Sequence, residues 1–321
     1  MKTILLPVLA IALSSISTVA SAQVAWTNIN NNQSIGSFFG VAGTSSEIVA
    51  VGIDGRISTR NNGTGIWTLQ TFTGDPDFRD VIYANGQYVV AREGGGIMTS
   101  PDGLAWTPQS TGTTDDLRTL LWDGSRYLAA GQNGAILSSA DAISWTSINS
   151  SGPFINALAY SGQRYVAAGG FGILTSTDGV SWSSPGIPPP GSSYEAATWT
   201  GSKFLIGGLG SNLYESADGL SWVLSTADFN WNIESLITEA GTTWITGDNA
   251  YIFSSNDGVS WIDQYPSPSG SEFFMDITRA GDLIVVAGFN HNVFATAIPE
   301  PSVCMLLILG ITVMCFHRRK C

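Results

Sequence analysis

Tryptophan recurs along this chain with a period near forty residues: Trp26, Trp67, Trp106, Trp145, Trp182, Trp222 and Trp261 stand 41, 39, 39, 37, 40 and 39 residues apart. A period of that length belongs to repeat architectures, whose units cannot bury their own faces and must stack on their neighbours. Five of these tryptophans close one motif. It reads Ser100-Pro101-Asp102-Gly103-Leu104-Ala105-Trp106 and Ser176-Thr177-Asp178-Gly179-Val180-Ser181-Trp182, with further copies from Ser139 to Trp145 (Ala142 in the glycine's place), Ser216 to Trp222 and Ser255 to Trp261.

The repeat from Leu117 to Ile148 predicts four short strands. Leu117 to Trp122, Tyr127 to Gly131, Ala135 to Ser139 and Ser144 to Ile148 are apolar runs, parted by turns at Asp123-Gly124-Ser125-Arg126, at Gln132-Asn133-Gly134 and at the aspartate motif. Four strands and three glycine-rich turns make one propeller blade. Outside the two chain ends no window holds helical spacing long enough to compete. The expected class is therefore all-β, a seven-bladed β-propeller, with six blades as the alternative count. The last repeat, Phe274 to Thr296, has material for only three strands, while Gln23 to Ile29 is a lone strand with no blade. The lone strand is expected to complete the last blade and remove two aggregation-prone edges.

The serine-aspartate-glycine-tryptophan motif resembles the Asp-box of sialidases and related propellers, in five of the seven repeats. Its aspartates, Asp102, Asp141, Asp178, Asp218 and Asp257, are read as turn staples that accept backbone N–H groups, with a positive φ at the next residue. Trp106, Trp145, Trp182, Trp222 and Trp261 are expected to pack between neighbouring blades. Blade one, Thr59 to Trp67, has lost the aspartate pattern.

Residues 1–22 carry Lys2, an apolar run from Ile4 to Leu13 and Ala20-Ser21-Ala22, the composition of a secretory signal peptide. Gln23 is the expected mature start. At the other end Pro299-Glu300-Pro301-Ser302 precedes fourteen mostly apolar residues, Val303 to Phe316, and then His317-Arg318-Arg319-Lys320. This order resembles the PEP-CTERM sorting signal of Gram-negative bacteria, with Pro299, Glu300, Pro301, Arg318 and Arg319 as its marks. The resemblance implies recognition by an exosortase-type membrane protease, usually in species that make extracellular polysaccharide. Fourteen helical residues span roughly 21 Å, short of the ~30 Å hydrocarbon core, which suits a temporary inner-membrane anchor. The basic cluster is expected on the cytoplasmic side. The domains are thus 1–22 signal peptide, 23–297 propeller and 298–321 sorting tail, and the destination is the cell surface or extracellular matrix. All three cysteines, Cys304, Cys315 and Cys321, lie in the tail, and a propeller of this size can do without disulfides.

Between Gln23 and Pro301 there are nine basic and twenty-five acidic residues, a formal charge of −16. That argues against nucleic acid and anionic lipid as principal partners, since both need a positive face. Neutral glycans, proteins and cations remain.

In a propeller the first strand of each blade lines the central channel. Aligning the repeats on the aromatic residues Tyr83, Trp122, Tyr160 and Trp199 places one variable position near the start of that strand. Around the ring it reads Phe39, Arg79, Arg118, Asn156, Glu195, Glu234 and Met275. Two guanidiniums are expected to face two carboxylates across the channel mouth, with Asn156 between them. Arg79 and Arg118 could take an anionic group, and Glu195 and Glu234 hydroxyls or a cation; the alternative is that these charges simply pair with neighbours. Rim residues add candidates: Asp54, Arg56, Arg92, Glu93, Asp248, Asn249, His291 and Phe229-Asn230-Trp231. The loop aromatics read equally as sugar platforms or as anchors. Pro185 to Gly191 reads as a stiff connection.

The sialidase resemblance implies three arginines for a substrate carboxylate, a tyrosine activated by a glutamate, and an aspartate acid. The arginine-isoleucine-proline mark is absent, since Ser58 follows Arg56-Ile57, and no nucleophile can be assigned. His291 and His317 are the only histidines, so no histidine metal cluster or serine triad is expected. No cofactor is expected; calcium on loop aspartates stays open and unassigned. A second resemblance is to seven-bladed Asp-box propellers that act as photosystem assembly factors, noncatalytic scaffolds that grip protein. The reading that follows is an exported, noncatalytic binding module for polysaccharide or surface protein. A glycoside hydrolase or lyase of sialidase type is the first alternative, and an assembly scaffold the second.

Overall fold

The computed structural model describes residues 23–298, except 32, 171, 186–192, 228 and 266–272. The leader at 1–22 and the tail with Pro299, Glu300, Pro301, Arg318 and Arg319 lie outside the described residues, as does most of the Pro185 to Gly191 connection. Seven antiparallel sheets follow one another around a ring, six of four strands and one of three. Their inner strands are Phe38–Gly43, Phe78–Ala84, Leu117–Trp122, Ile155–Tyr160, Ser193–Trp199, Ile233–Glu239 and Phe274–Ala280. Each packs on its neighbours, and the seventh packs on the first. The count is seven, which overturns the six-bladed alternative.

Apolar side chains gather into seven clusters, one at each seam between adjacent blades. Second strands such as Tyr127–Gly131 and Tyr165–Gly169 are buried along their whole length, because both faces of a blade meet a neighbouring blade. A strand covered on both faces needs no polar alternation. Each recurrent tryptophan serves the seam on the upstream side of its blade: Trp67 between blades seven and one, Trp106 between one and two, Trp145 between two and three. Trp182, Trp222 and Trp261 continue the series.

The five aspartate turns share one geometry. In each, one carboxylate oxygen accepts the N–H groups two and three residues on, as Asp102 does from Leu104 and Ala105, both at 2.9 Å. The motif serine donates to the same oxygen, as Ser176 does to Asp178 at 2.8 Å. Gly103 has a φ of 70°, and Ala142 adopts 62° in its place. The Ser260 and Val259 N–H groups hold Asp257 down to about 2. The stability this turn adds is therefore full above the unfolded value of ~3.9 and is lost as pH falls through about 2. Because Asp141 holds the Ser144 N–H, Ser144 and Trp145 belong to the turn, and the fourth strand runs Thr146–Ser150 rather than from Ser144. In blade four that strand shrinks to a single bridge, Thr175 to Ser183.

The N-terminal segment closes the ring. Thr27 and Asn28 pair with Ala295 and Phe294, so the lone strand becomes the outer strand of blade seven. Trp26 meets Trp244 edge-on at 6.1 Å, and Ile29 packs at the seam between blades seven and one. Deleting residues 23–31 should lower the melting temperature by on the order of 10 °C, from burial of ~1.5–3 kcal/mol per large side chain lost in a domain of this size. The bared edge of Val293–Ala297 should also produce concentration-dependent association in light scattering. An unchanged melt would contradict the closure.

Candidate functional site

The inner strands do not pair smoothly. In every blade the register slips at one residue: between Phe38 and Gly40, Phe78 and Asp80, Leu117 and Thr119, Ile155 and Ala157, Tyr194 and Ala196, Ile233 and Ser235, and Phe274 and Asp276. The skipped residues are Phe39, Arg79, Arg118, Asn156, Glu195, Glu234 and Met275. A bulge re-aims one side chain out of the alternating pattern, and here seven bulges aim seven side chains at one cavity of about 200 Å³.

What permits the bulge is a close backbone approach. In six blades the residue paired just before it is a glycine: Gly52, Gly131, Gly169, Gly208, Gly247 or Gly288. A Cβ at any of them would stand 1.6 to 2.2 Å from the carbonyl oxygen that enters the inner strand. Blade two has Arg92 there. These glycines were missed in reading the sequence, although their recurrence at or near the end of six of the seven second strands was visible.

The structure brings Arg79, Arg118, Asn156, Glu195 and Glu234 around the same cavity but gives them different partners. Arg79 donates to Glu93, lies 3.4 Å from Asp77 and stacks over Phe39 at 4.2 Å. Its charge is already answered. Asn156 donates to the Tyr194 carbonyl at 3.2 Å and to Ser193 Oγ at 3.3 Å, tying blade four to blade five. Arg118 stacks over Phe154 at 4.6 Å, and its buried Nε has no acceptor among the described residues. Burial, and then the neighbouring Arg79 charge, pull its pKa below the ordinary arginine value. Leaving a buried charged donor unpaired is costly; the side chain as a whole is half-buried and forms no ion pair among the described residues, so its guanidinium, and not the sealed Nε, is what an incoming anion can meet. Across the cavity, burial and then the adjacent Glu195 push Glu234 up to about 7.

Beneath the ring lie two acids that the sequence reading passed over. Asp80 accepts the Leu120 N–H at 2.6 Å, and Asp276 accepts the Val41 N–H and Ser235 Oγ, both at 2.8 Å. Each bridges to an adjacent blade. Both line the cavity. Burial, and then the charge of Asp276, raise Asp80 to about 7; burial raises Asp276 to about 6. The signal was present in Phe78-Arg79-Asp80 and Phe274-Met275-Asp276, an acid directly after the ring position in a strand that is otherwise largely apolar.

The rim candidates are mostly engaged in holding loops. Arg92 donates to Asp75 at 2.8 Å, Arg56 stands 3.9 Å from Asp54, and Asp248 accepts from Asn232. The His291 ring meets Gly36 and Ser34. Phe229 and Trp231 are buried against Phe253 and Trp261, so these aromatics are anchors and not a sugar platform. Asn249 is exposed on its loop at a φ of 58°. Among the described residues no group of three or more His, Cys, Asp or Glu is arranged to hold a metal ion.

Two solved structures share this architecture. One, described as YCF48 bound to D1 peptide, superposes with a TM-score of 0.69 over 88% of this chain and 97% of its own at 14% identity. The other, YCF48 from Cyanidioschyzon merolae, gives 0.68 over 85% and 99%, again at 14% identity. At that identity the likeness is one of fold. No family model matches the chain, and no curated protein matches it in sequence.

An acid whose folded pKa lies above its unfolded value of ~3.9 leaves the native state holding an extra proton between the two. Its burial then costs nothing below that window and progressively more as pH rises through it. Asp80→Asn keeps an acceptor oxygen for the Leu120 N–H and removes the charge. It should raise the melting temperature at pH 8 by about 2–4 °C, the shift ~1 kcal/mol makes in a domain of this size, and leave the melt at pH 4.5 unchanged. Equal shifts at both pH values would contradict the assignment.

Proposed function

We propose that this chain is an exported, noncatalytic propeller that holds a segment of a partner protein in the mouth of its channel. The observation that carries the proposal is the division of the ring. Arg79 and Asn156 are committed to the scaffold, whereas Arg118, half-buried at the cavity wall, forms no ion pair among the described residues, and Glu195 and Glu234 face the same cavity. A cavity of about 200 Å³ is smaller than the roughly 300–1,000 Å³ of typical small-molecule pockets. It suits one or two side chains of an extended segment better than a sugar oligomer. A propeller of the same fold has been solved with a peptide bound, which supports the choice of protein over matrix polysaccharide. Export rests on residues 1–22, and sorting by an exosortase-type protease on Pro299 to Lys320. Together they lead the propeller to the cell surface or matrix of a Gram-negative bacterium.

The test places a photo-crosslinking residue at Met275, on the ring, in the fragment 23–297, and exposes it to the producing organism's extracellular protein and polysaccharide separately. Cross-linking to a defined protein segment is expected, reduced about tenfold or more by Arg118→Ala or by Glu195→Gln with Glu234→Gln, since a charged hydrogen bond is worth ~1.5–3 kcal/mol. Saturable binding to polysaccharide with no protein cross-link would overturn the reading.

One observation favours the glycosidase alternative. Glu234, raised to about 7 beside Glu195, is an acid that could protonate a leaving oxygen at neutral pH. New reducing ends that vanish in Glu234→Gln would establish it.

A further inference from the structure

Exposed apolar side chains are concentrated on the face opposite the channel mouth. The residue that follows the motif glycine, or Ala142 in its place, is aliphatic and exposed in all five aspartate turns: Leu104, Ile143, Val180, Leu220 and Val259. Blade one contributes Ile66 at its own turn between third and fourth strands. These six are between 42 % and 60 % exposed. None is needed for the turn, whose hydrogen bonds run through the backbone and the aspartate, so a polar residue would serve as well in water.

Both chain ends leave from this face. Third strands run toward the aspartate turns, and the third strand of blade seven, Val293–Ala297, is the last strand of the propeller and ends where the other blades make that turn. The N-terminal strand Thr27–Asn28 is a fourth strand and so starts at the same face. Beyond it the chain has an apolar run at each end, Ile4 to Leu13 and Val303 to Phe316. Only Ile298 to Ser302 separate the last strand from the second run. Five residues reach at most about 18 Å whatever their conformation.

We propose that the aspartate-turn face of the propeller rests on the lipid bilayer, with the six aliphatic tips in the headgroup region and the channel mouth turned away. The tether forces this face to within a few side-chain lengths of any membrane the tail enters. A ring of half-exposed aliphatic tips at that distance is what an interfacial contact requires, because such binding scales with the apolar area taken from water. The five aspartates are not an obstacle to a zwitterionic surface, since each carboxylate already accepts N–H groups of its own turn and stays at the headgroup level. Arg126 adds a positive charge on this face, where it donates to the Asp178 carbonyl. An anionic surface would be opposed by the same carboxylates. The inference rests on the reading of the tail as a membrane insert.

The test uses the chain from Gln23 to Cys321, with Cys304, Cys315 and Cys321 replaced by serine, reconstituted in phosphatidylcholine vesicles. An environment-sensitive fluorophore is attached at Leu104→Cys or Val180→Cys on the turn face, and at Thr114→Cys or Asn230→Cys on the mouth face. All four positions are exposed, so labelling leaves the fold intact, which equal melting temperatures would verify. The chain is expected to float with the vesicles, and lipid-borne spin labels should quench positions 104 and 180 several-fold more than 114 and 230. Adding phosphatidylglycerol should weaken that contrast. Floating with equal or reversed quenching would overturn the orientation alone, and failure to float would overturn the reading of the tail on which it stands.

Discussion

Everything in this molecule depends on the fact that a blade cannot bury its own faces. Each four-stranded sheet leaves two apolar surfaces, and the only cover available is the next blade, so the core is divided into seven seams instead of one centre. Each seam takes one of the recurrent tryptophans, Trp26 included. A stack of this kind is stable only when it closes, and closure falls to a strand of two residues from the far end of the chain. The cooperativity of the fold is therefore that of a ring, in which opening one seam exposes two faces at once.

The same closure positions the site. Seven inner strands meet around one axis, and a bulge at an equivalent place in each turns one side chain inward. The same bulge recurs in all seven blades, so the repeat itself does not dictate which side chain stands there, although Asn156 and Arg79 have each been drawn into contacts of their own. That freedom is why Phe, Arg, Arg, Asn, Glu, Glu and Met can occupy positions that are structurally equivalent. Chemistry can be written into the ring without disturbing the seams.

Much of the architecture was legible in the sequence because its signals are local and repeated. The tryptophan period, the aspartate turns and the orphan first strand each map onto one structural event, and the inner-strand alignment could be read from the aromatic four residues downstream of the ring position. What was not legible depends on which contacts the folded chain makes. Nothing in the spacing says that Arg79 is held by Glu93 across the hairpin of its own blade and by the nearby Asp77, while Arg118 forms no ion pair among the described residues. Nothing local says that Phe229 turns inward onto Trp261 and Trp231 onto Phe253. The buried pair Asp80 and Asp276 is intermediate, since the acids stand plainly in the strands but their common environment exists only once blades two and seven flank blade one. Gly40 of blade one lies against the backbone of Asp80, and Asp276 holds the Val41 N–H from the other side.

The central claim is that the channel mouth, and not the outer edges or the turn face, is where this propeller meets its partner. Hydrogen exchange of the fragment 23–297, free and saturated with extracellular protein from the producing organism, reads that directly for every backbone segment. The account predicts added protection at the starts of the inner strands, around Arg118, Glu195 and Glu234, and in the loops between second and third strands. Protection confined to the outer strands or to the aspartate turns, with the inner-strand starts unchanged, would contradict it.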